Sequence, residues 1–327
     1  MKFILYAAMF VASVSIAQTP AASQAATNWK LATGYRAELF HTQNIAQFAR
    51  EVGTTSGGQL TIEVFPNSAL AKLADISQAV RDGKAQAGET IMTSLVKDIP
   101  IAGADSIPFI VNSYSEAQRL WKVQRPGIEK HFAERDLKLL YAVPWPPQGL
   151  HSSKPIRSLA DFKGTQMRTY NATTLRIAEL LGAKPVDVPM VDVGKALAEG
   201  RMDNMITSAL TGVENKVWGQ IKYYYEINAW FPKNVVFVSS KAFDALTPAT
   251  RAVVIKAASD AEARGWATSE ALATSATNEL RANGVKIERI PPDVDVEIKR
   301  MGEKFSREWV RSVGNEANTV FVPYYIK

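Results

Sequence analysis

A single helical pattern in the last third of the sequence restricts the fold more than any other feature. It runs from Thr247 to Ala282, begins with a Thr-Pro start signal and ends at Asn283-Gly284. A helix of roughly 36 residues would measure on the order of 54 Å, which is longer than a small lobe is wide. We therefore expect it to lie across two lobes, and the alternative is two shorter helices with a break at Gly265.

Strand and helix patterns alternate along the rest of the chain, which predicts an α/β fold with mostly parallel sheets. The chain has 327 residues, and a single core rarely grows beyond roughly 250–300 residues, so two lobes are expected. The predicted strands are Trp29–Thr33, Leu60–Val64, Ala85–Gly88, Thr165–Tyr170, Val186–Pro189, Met202–Ile206 and Val285–Ile290. The other predicted helices are about Thr42–Val52, Leu70–Asp82, Ala172–Leu181, Val191–Glu199 and Val294–Val313.

The segment Pro144–Pro147 is predicted to cross between the lobes, because three prolines in four residues resist both a helix and a central strand. Lobe I then comprises residues 27–145 and about 234–270. Lobe II comprises residues 146–233 and about 271–327, with a cleft between the two lobes.

The N-terminus has the pattern of a cleavable export signal. Lys2 supplies the positive charge, Phe3–Val14 is apolar, and small residues at a cleavage site follow before residue 27. Twelve apolar residues are too few to span a bilayer, which needs about 20. Residues 1–26 are therefore predicted to be a signal peptide, and the mature protein is expected outside the cytoplasm, with an N-terminal anchor helix as the alternative.

The composition and the motifs favour binding over catalysis. The absence of cysteine excludes disulfides, Cys-ligated zinc, Fe–S clusters and thiolate nucleophiles. A formal net charge of +6 without a block of like charges argues against a nucleic-acid partner. Serine-hydrolase, phosphate-loop, dinucleotide and zinc-protease motifs are missing from the sequence. His41, His131 and His151 are expected to be surface or cap histidines, and Asn171 to cap the helix that follows it.

Several segments carry a family pattern. They are Glu51–Leu70 (EVGTTSGGQLTIEVFPNSAL), Ala79–Gly83, Ile107–Phe109, Lys154–Arg168 (KPIRSLADFKGTQMR), Gly182-Ala183, Ala196–Gly200 and Met202-Asp203. Together they resemble the dicarboxylate-binding-type solute-binding proteins of tripartite ATP-independent periplasmic (TRAP) transporters, and the likeness covers essentially the whole mature chain. The resemblance implies a two-lobe, type II-like periplasmic-binding-protein fold with the long helix spanning both lobes. It also implies a periplasmic protein that is not an enzyme and needs no cofactor.

The resemblance assigns Arg168, at the end of the D-x-K-G-x-x-x-R stretch, a two-pronged salt bridge with the carboxylate of the ligand. The chemistry of the residue agrees. A guanidinium offers paired donors in one plane, and the N-terminus of the helix that follows the strand adds backbone N–H groups.

Other site residues follow from the resemblance less directly. Thr207 or Ser208 is expected to take the role of a polar residue of the family, and Gln148 to replace a second arginine found in some members. In the first lobe, Tyr35, Arg36, Phe40 and Glu89 match positions that face the cleft. Trp145, Tyr170 and Trp230 are candidate aromatic cleft walls, with a core position as the alternative for each.

The mechanism implied by the resemblance is capture by closure of the two lobes, followed by delivery of an organic acid to the membrane subunits of a TRAP permease. The alternatives are a binding protein for an ABC importer or a signalling receptor, and a periplasmic enzyme on the same fold. One continuous helix that touches both lobes would favour the TRAP family. The ligand is expected to be a monocarboxylate with an apolar or aromatic body, and a C4-dicarboxylate or a uronate is the alternative.

Overall fold

The structure is a computed structural model that describes residues 26–326. All of the predicted signal peptide except its last residue lies outside the described residues. The strands are β1 (Thr27–Ala32), β2 (Leu60–Phe65), β3 (Ala87–Ile91), β4 (Leu137–Pro144), β5 (Gln148–Ser152), β6 (Gln166–Thr169), β7 (Lys184–Asp187), β8 (Asn204–Ser208), β9 (Tyr223–Tyr225), β10 (Lys233–Ser239) and β11 (Lys286–Glu288). The helices are α1 (Phe40–Thr55), α2 (Ile76–Arg81), α3 (Tyr114–Ala133), α4 (Ala172–Leu180), α5 (Val193–Ala198), α6 (Ala209–Glu214), α7 (Ser240–Asp244), α8 (Pro248–Ala282), α9 (Pro292–Val313) and α10 (Ala317–Tyr325).

The strands form two sheets. The first has the order β2-β1-β3-β10-β4 and the second the order β11-β9-β5-β8-β6-β7. Both are mixed, so the prediction of mostly parallel sheets is wrong for two strands: β10 runs antiparallel to β3 and β4, and β5 runs antiparallel to β8 and β9. Each of these strands comes directly from the other sheet. The rule that makes strand-helix-strand units parallel therefore does not apply to them.

The chain crosses between the sheets where the prolines predict it. β4 ends at Pro144 in the first sheet, and β5 begins at Gln148 in the second. A second crossing, between β9 and β10, brings the chain back at Lys233. Two neighbouring connections thus join the sheets, and the segment from β10 through α8 to β11 makes a third connection between them.

The long helix predicted from the sequence is confirmed as one continuous element, α8. The Thr247 side chain caps it by accepting a hydrogen bond from the backbone of Thr250, 3.0 Å away. Gly265 does not break the helix. It lies against β4, where a Cβ atom would collide with the side chain of Val143, so this glycine permits a close approach to the first sheet.

The middle and the C-terminal part of α8 are tied to different sheets. The indole Nε1 of Trp266 donates to the carbonyl of Ala142 in β4, at 3.0 Å. Further along, Thr277 donates to the Glu226 carboxylate at 3.5 Å, and Leu280 is buried in the core of the second sheet. The helix therefore spans both halves of the fold, as the α/β two-lobe prediction requires.

The C-terminal helices depart from the predicted division of the chain. Val294 and Ile298 of α9 pack in the core of the second sheet, in line with the sequence expectation. Val320 and Tyr324 of α10, by contrast, belong to a core of the first sheet together with residues of α3. The placement of all residues beyond about 271 with the second lobe is therefore wrong for α10. Its contact partner, α3, was not among the helices predicted from the sequence.

Shorter elements differ at their boundaries. The helix predicted to begin at Leu70 is only α2, preceded by a 3-10 turn at Leu73–Asp75. The strand predicted for Ala85–Gly88 is β3, which begins at Ala87 and ends at Ile91. Within residues 26–326, no helix combines the length and apolar character needed to cross a membrane.

Candidate functional site

A cavity of about 690 Å³ lies between the two sheets. It is bounded by the residues that follow β1 and β3, by the Pro144–Gln148 crossing, and by the carboxyl ends of β6, β7 and β8. Open α/β sheets bind their ligands at this edge, because the chain leaves the strands there and exposes loops and helix N-termini. Of the residues predicted for the site, Arg168, Thr207, Gln148, Tyr35, Trp145 and Tyr170 line this cavity.

Arg168 is held in place by the local structure of the second sheet. It lies in β6, directly before the helix α4, and its side chain is 2% exposed. Its Nε donates to the carbonyl of Val188, at 2.9 Å. Within residues 26–326, no carboxylate forms a salt bridge with it and no hydrogen bond uses its terminal nitrogens. The two terminal N–H groups are thus left for a ligand in the cavity.

The surroundings of Arg168 keep it charged and fix its plane. Burial lowers the pKa of the guanidinium to about 10, which leaves it protonated at neutral pH. Its Cζ lies 4.7 Å from the centre of the Tyr170 ring, a cation–π geometry. Burial raises the pKa of Tyr170 to about 12, so the phenol stays neutral beside this charge. The arrangement is suited to bind one planar anion such as a carboxylate.

Neutral polar groups lie beside the arginine. Gln148 begins β5, and its Nε2 donates to the carbonyl of Pro146 at 2.9 Å, while the Tyr170 hydroxyl lies 3.4 Å from its Oε1. Thr207 is opposite Gly149 in the register of β8 and β5. These two side chains offer hydrogen bonds without charge, so they can contact the uncharged part of a solute.

An aromatic wall closes the cavity on the side of the first sheet. It consists of Tyr35 and Trp145, whose ring centres are 5.4 Å apart. His41 of α1 supports the wall from behind, with its ring 4.3 Å from that of Trp145. Asn234 of β10 accepts hydrogen bonds from the Trp145 indole at 2.9 Å and from the Tyr35 hydroxyl at 3.4 Å. The wall is thus fixed both by stacking and by a shared acceptor.

Three residues predicted for the site do not line the cavity. Trp230 is fully buried in the core of the second sheet, which is the alternative position expected for it. Ser208 is also fully buried, and its side chain caps α6 by accepting from the backbone of Thr211 at 3.2 Å. Glu89 lies inside β3 and not after it, and it is buried behind the aromatic wall. Of the pair Thr207 or Ser208 it is therefore Thr207 that lines the cavity, Trp230 takes its core alternative, and Glu89 lies outside the cavity lining.

Arg36 and Phe40 also lie outside the cavity lining and contact the second half of the fold. Arg36 donates to the backbone carbonyl of Glu214 in α6, at 3.5 Å. Phe40 packs against cores of both sheets. Both residues follow the first strand. This position in the sequence does not tell whether a side chain faces the cleft or packs against the other half of the fold.

Some cavity residues were missed by the sequence reasoning. They are, among others, Leu73, Ile91, Asp187, Met190 and Thr211. Asp187 ends β7 and Met190 follows it, so the rule that ligands bind at the carboxyl ends of strands could have found both. Ile91 ends β3 and falls under the same rule, but the strand predicted there stopped at Gly88. Leu73 carries no such signal, because an apolar residue in a helical pattern resembles any core position.

Two of the three histidine predictions are wrong. His41 and His151 are fully buried and are neither surface nor cap residues. Burial lowers the pKa of His41 to about 3 and that of His151 to about 4, so both are neutral at physiological pH. His131 lies 2.6 Å from the Glu316 carboxylate. The prediction that Asn171 caps the following helix is confirmed, since it accepts from the backbone of Thr174 at 2.8 Å.

The buried carboxyl of Glu89 gives a pH-dependent contribution to stability. Burial raises its pKa to about 7, so between about pH 4.5 and 7 the folded protein keeps a proton that the unfolded chain has lost. Its contribution to the free energy of unfolding therefore decreases as the pH rises through this range. The free energy of unfolding of Glu89→Gln minus that of the wild type is therefore expected to increase by about 2.5 kcal/mol from pH 5 to pH 8. Urea unfolding at the two pH values measures the change, and a stability difference that is the same at both would contradict this assignment.

The side chains that line the cavity are suited to bind a small anion. In the part of the chain that the structure describes, no group of three or more His, Asp or Glu side chains is placed to hold a metal ion. The cavity combines one buried cation, neutral hydrogen-bonding groups and aromatic surface. Such a combination is suited to orient a small anion.

Comparison with known proteins agrees with this geometry. The family model described as bacterial extracellular solute-binding protein, family 7, matches residues 35–312. The crystal structure of DctP6, an extracytoplasmic solute receptor of Bordetella pertussis that binds pyroglutamic acid, is similar with a TM-score of 0.89 and 35% identity. It covers 92% of this chain and 100% of its own.

Two further relatives extend the comparison. A TRAP solute-binding protein from a marine metagenome, specific for pyroglutamate, is 34% identical with a TM-score of 0.88, over 91% of this chain and 98% of its own. The 2,3-diketo-L-gulonate-binding periplasmic protein YiaO of Escherichia coli is 23% identical over 266 residues, which are 78% of each chain.

Proposed function

This chain belongs to family 7 of the bacterial extracellular solute-binding proteins, and we propose that its own solute is a compact cyclic monocarboxylate of the pyroglutamate kind. The family and the similar structures make it an extracytoplasmic solute receptor for small organic acids of the TRAP type. The observation that carries the choice of solute is the buried guanidinium of Arg168, whose terminal nitrogens face the cavity without a partner among the described residues.

The charges around the cavity favour one carboxylate over two. Of the charged side chains in its lining, only Arg168 is a buried cation. Lys72 is exposed at the mouth, and Asp187 and Asp192 are exposed on the opposite rim. A second carboxylate would therefore meet no buried cation, and the two aspartates would repel it.

The remaining surface suits an uncharged ring. Tyr35, Trp145 and the apolar side chains of Leu73, Ile91 and Met190 offer walls for a flat body. Gln148 and Thr207 supply hydrogen bonds near Arg168. Pyroglutamate, the ligand of two relatives about one third identical to this chain, combines a carboxylate with a small uncharged ring. That chemistry matches both sides of the cavity.

The division into sheets supports capture by closure. We take residues 27–145 with about 234–270 as one lobe, extended by α10, and the rest as the other. Arg168 binds the carboxylate from the second lobe, and the aromatic wall of the first lobe covers the ring when the lobes rotate about the two crossings. The receptor then presents its closed form to the membrane subunits of a TRAP permease in the periplasm and releases the solute unaltered.

A thermal-shift comparison tests this proposal. L-pyroglutamate at 100 times its dissociation constant is expected to raise the free energy of unfolding by about 2.7 kcal/mol, which corresponds to a shift of the unfolding temperature of about 5 °C. The matched controls are 2-pyrrolidinone, which lacks the carboxylate, and succinate, which has two. A larger shift with either control would contradict the proposal. Consumption of the bound acid, followed by chromatography, would favour an enzyme.

A further inference from the structure

A chain of buried hydrogen bonds lies behind the aromatic wall and ends at a cavity residue. Glu89 accepts a hydrogen bond from the Thr33 hydroxyl, with 2.5 Å between Oε2 and Oγ1. Its other oxygen, Oε1, accepts from Nδ2 of Asn234 at 2.9 Å. Asn234 Oδ1 in turn accepts from Nε1 of Trp145 at 2.9 Å and from the Tyr35 hydroxyl at 3.4 Å. Glu89 and Asn234 are both 1% exposed, so water does not replace these contacts.

The donors and acceptors of this chain allow only one orientation of the Asn234 amide. The indole of Trp145 can only donate, so the oxygen of the amide must face it. Oε1 of Glu89 accepts in either protonation state, because the short contact of Oε2 with Thr33 can hold the proton. The amide nitrogen must therefore face Glu89. Asn234 consequently presents its oxygen to Tyr35, and the Tyr35 hydroxyl has to be the donor in that contact.

The groups that face this chain leave Tyr35 uncharged. Burial, and then the charge of Glu89, raise the pKa of Tyr35 well above 10. Tyr141 of β4 also faces Glu89, and burial raises its pKa well above 10 as well. His41 faces Trp145 from α1 and is neutral, since burial lowers its pKa to about 3. Thr33 and Asn234 are the remaining neighbours that bond to Glu89, and neither titrates.

The proton of the Tyr35 hydroxyl points away from the solute, and its lone pairs are left for the cavity. Tyr35 follows β1 of the first sheet and Arg168 lies in β6 of the second, and both line this cavity. A solute held there by its carboxylate would find a hydrogen-bond acceptor on the opposite wall.

We propose that Glu89 and Asn234 are positioning residues that make the Tyr35 hydroxyl a hydrogen-bond acceptor, so that the cavity selects carboxylates carrying a ring N–H group. The inference rests on the proposed function, because it concerns the specificity of the same cavity. It also gives Glu89 a role without contact to the solute. A ring oxygen in place of the N–H would face the lone pairs of Tyr35 without a hydrogen bond and would be rejected.

Paired solutes test the selection directly. Isothermal titration calorimetry is carried out with L-pyroglutamate and its lactone analogue 5-oxotetrahydrofuran-2-carboxylate, and with pyrrole-2-carboxylate and furan-2-carboxylate. The wild type is expected to bind the N–H member of each pair at least about tenfold more tightly. Tyr35→Phe and Asn234→Leu are expected to reduce this ratio to below about threefold. Tyr114→Phe, a matched change at a tyrosine whose hydroxyl bonds to Ser269 outside this cavity, should keep the ratio of the wild type.

A measurement without solute tests the chain of buried hydrogen bonds independently of which ligand the cavity binds. The indole N–H of Trp145, followed by NMR, should exchange with solvent at least about tenfold faster in Asn234→Leu than in the wild type. Equal affinity for both members of a pair, or an unchanged exchange rate, would overturn this inference and leave the proposed function intact. If the wild type binds none of the four acids, the proposed function is contradicted. The exchange rate of the Trp145 indole N–H still shows in that case whether the chain of buried hydrogen bonds exists.

Discussion

Replacing Arg168 with lysine is expected to weaken the binding of the monocarboxylate by about 100-fold, which corresponds to about 2.7 kcal/mol. The guanidinium is fixed by the bond from Nε to the carbonyl of Val188 and presents two coplanar donors to the cavity. A lysine ammonium is a point charge on a longer flexible stem and cannot supply that pair of donors. It would also lose the stacking against Tyr170, whose ring centre lies 4.7 Å from the guanidinium carbon.

Calorimetric titration of the variant with L-pyroglutamate measures this loss. The matched control is Arg176→Lys, at a half-buried arginine of α4 that pairs with Glu179 and Glu308 away from the cavity. It is expected to bind like the wild type. An affinity of Arg168→Lys within about threefold of the wild type, a difference of under 1 kcal/mol, would show that the carboxylate is held elsewhere.

The second large effect is expected from Asp105→Ala, which should lower the free energy of unfolding by about 3–5 kcal/mol. The Asp105 carboxylate accepts from the backbone N–H of Lys233 at 2.8 Å and lies 3.4 Å from its ammonium. Both side chains are almost completely buried, at 0% and 1% exposure. Without the carboxylate, the lysine at the start of β10 keeps a buried charge that nothing nearby neutralises.

Urea unfolding compares this variant with two controls. Glu51→Ala removes one partner of a half-buried pair with Arg264 and should cost only about 1 kcal/mol. The double change Asp105→Leu with Lys233→Met removes both charges together and should recover most of the lost stability. A loss below about 1 kcal/mol in Asp105→Ala would contradict this prediction, because it would mean that the Lys233 ammonium finds another partner.

The parts of the fold that sequence reasoning anticipated are those that depend on local patterns. The helix α8 has a capping threonine, a proline at its first position and an Asn-Gly end, and these signals act within a few residues of one another. The proline-rich crossing and the capping of α4 by Asn171 are local in the same sense. Arg168 was found because a specific segment around it resembles a known family and because its strand ends where ligands bind.

The residues that were misplaced depend on contacts between distant segments. Trp230 and Trp145 are both tryptophans beside a crossing, and only the packing of the second sheet decides that Trp230 is core and Trp145 is cavity wall. Ser208 follows Thr207 directly, yet α6 takes its hydroxyl as a cap. Glu89 has its partners 56 and 145 positions away in the sequence. The hydrophobic periodicity of a single sequence contains no information about contacts over such long sequence separations.

The attachment of α8 to both sheets has a mechanical consequence. An unbroken rod anchored to Ala142 on one side and to Glu226 on the other leaves the two halves of the molecule few independent degrees of freedom. Shear or wide splaying would have to bend the rod or pull out an anchor. Rotation about the line of the two crossings strains the helix least. Opening and closure of the lobes should therefore follow the same restricted path each time.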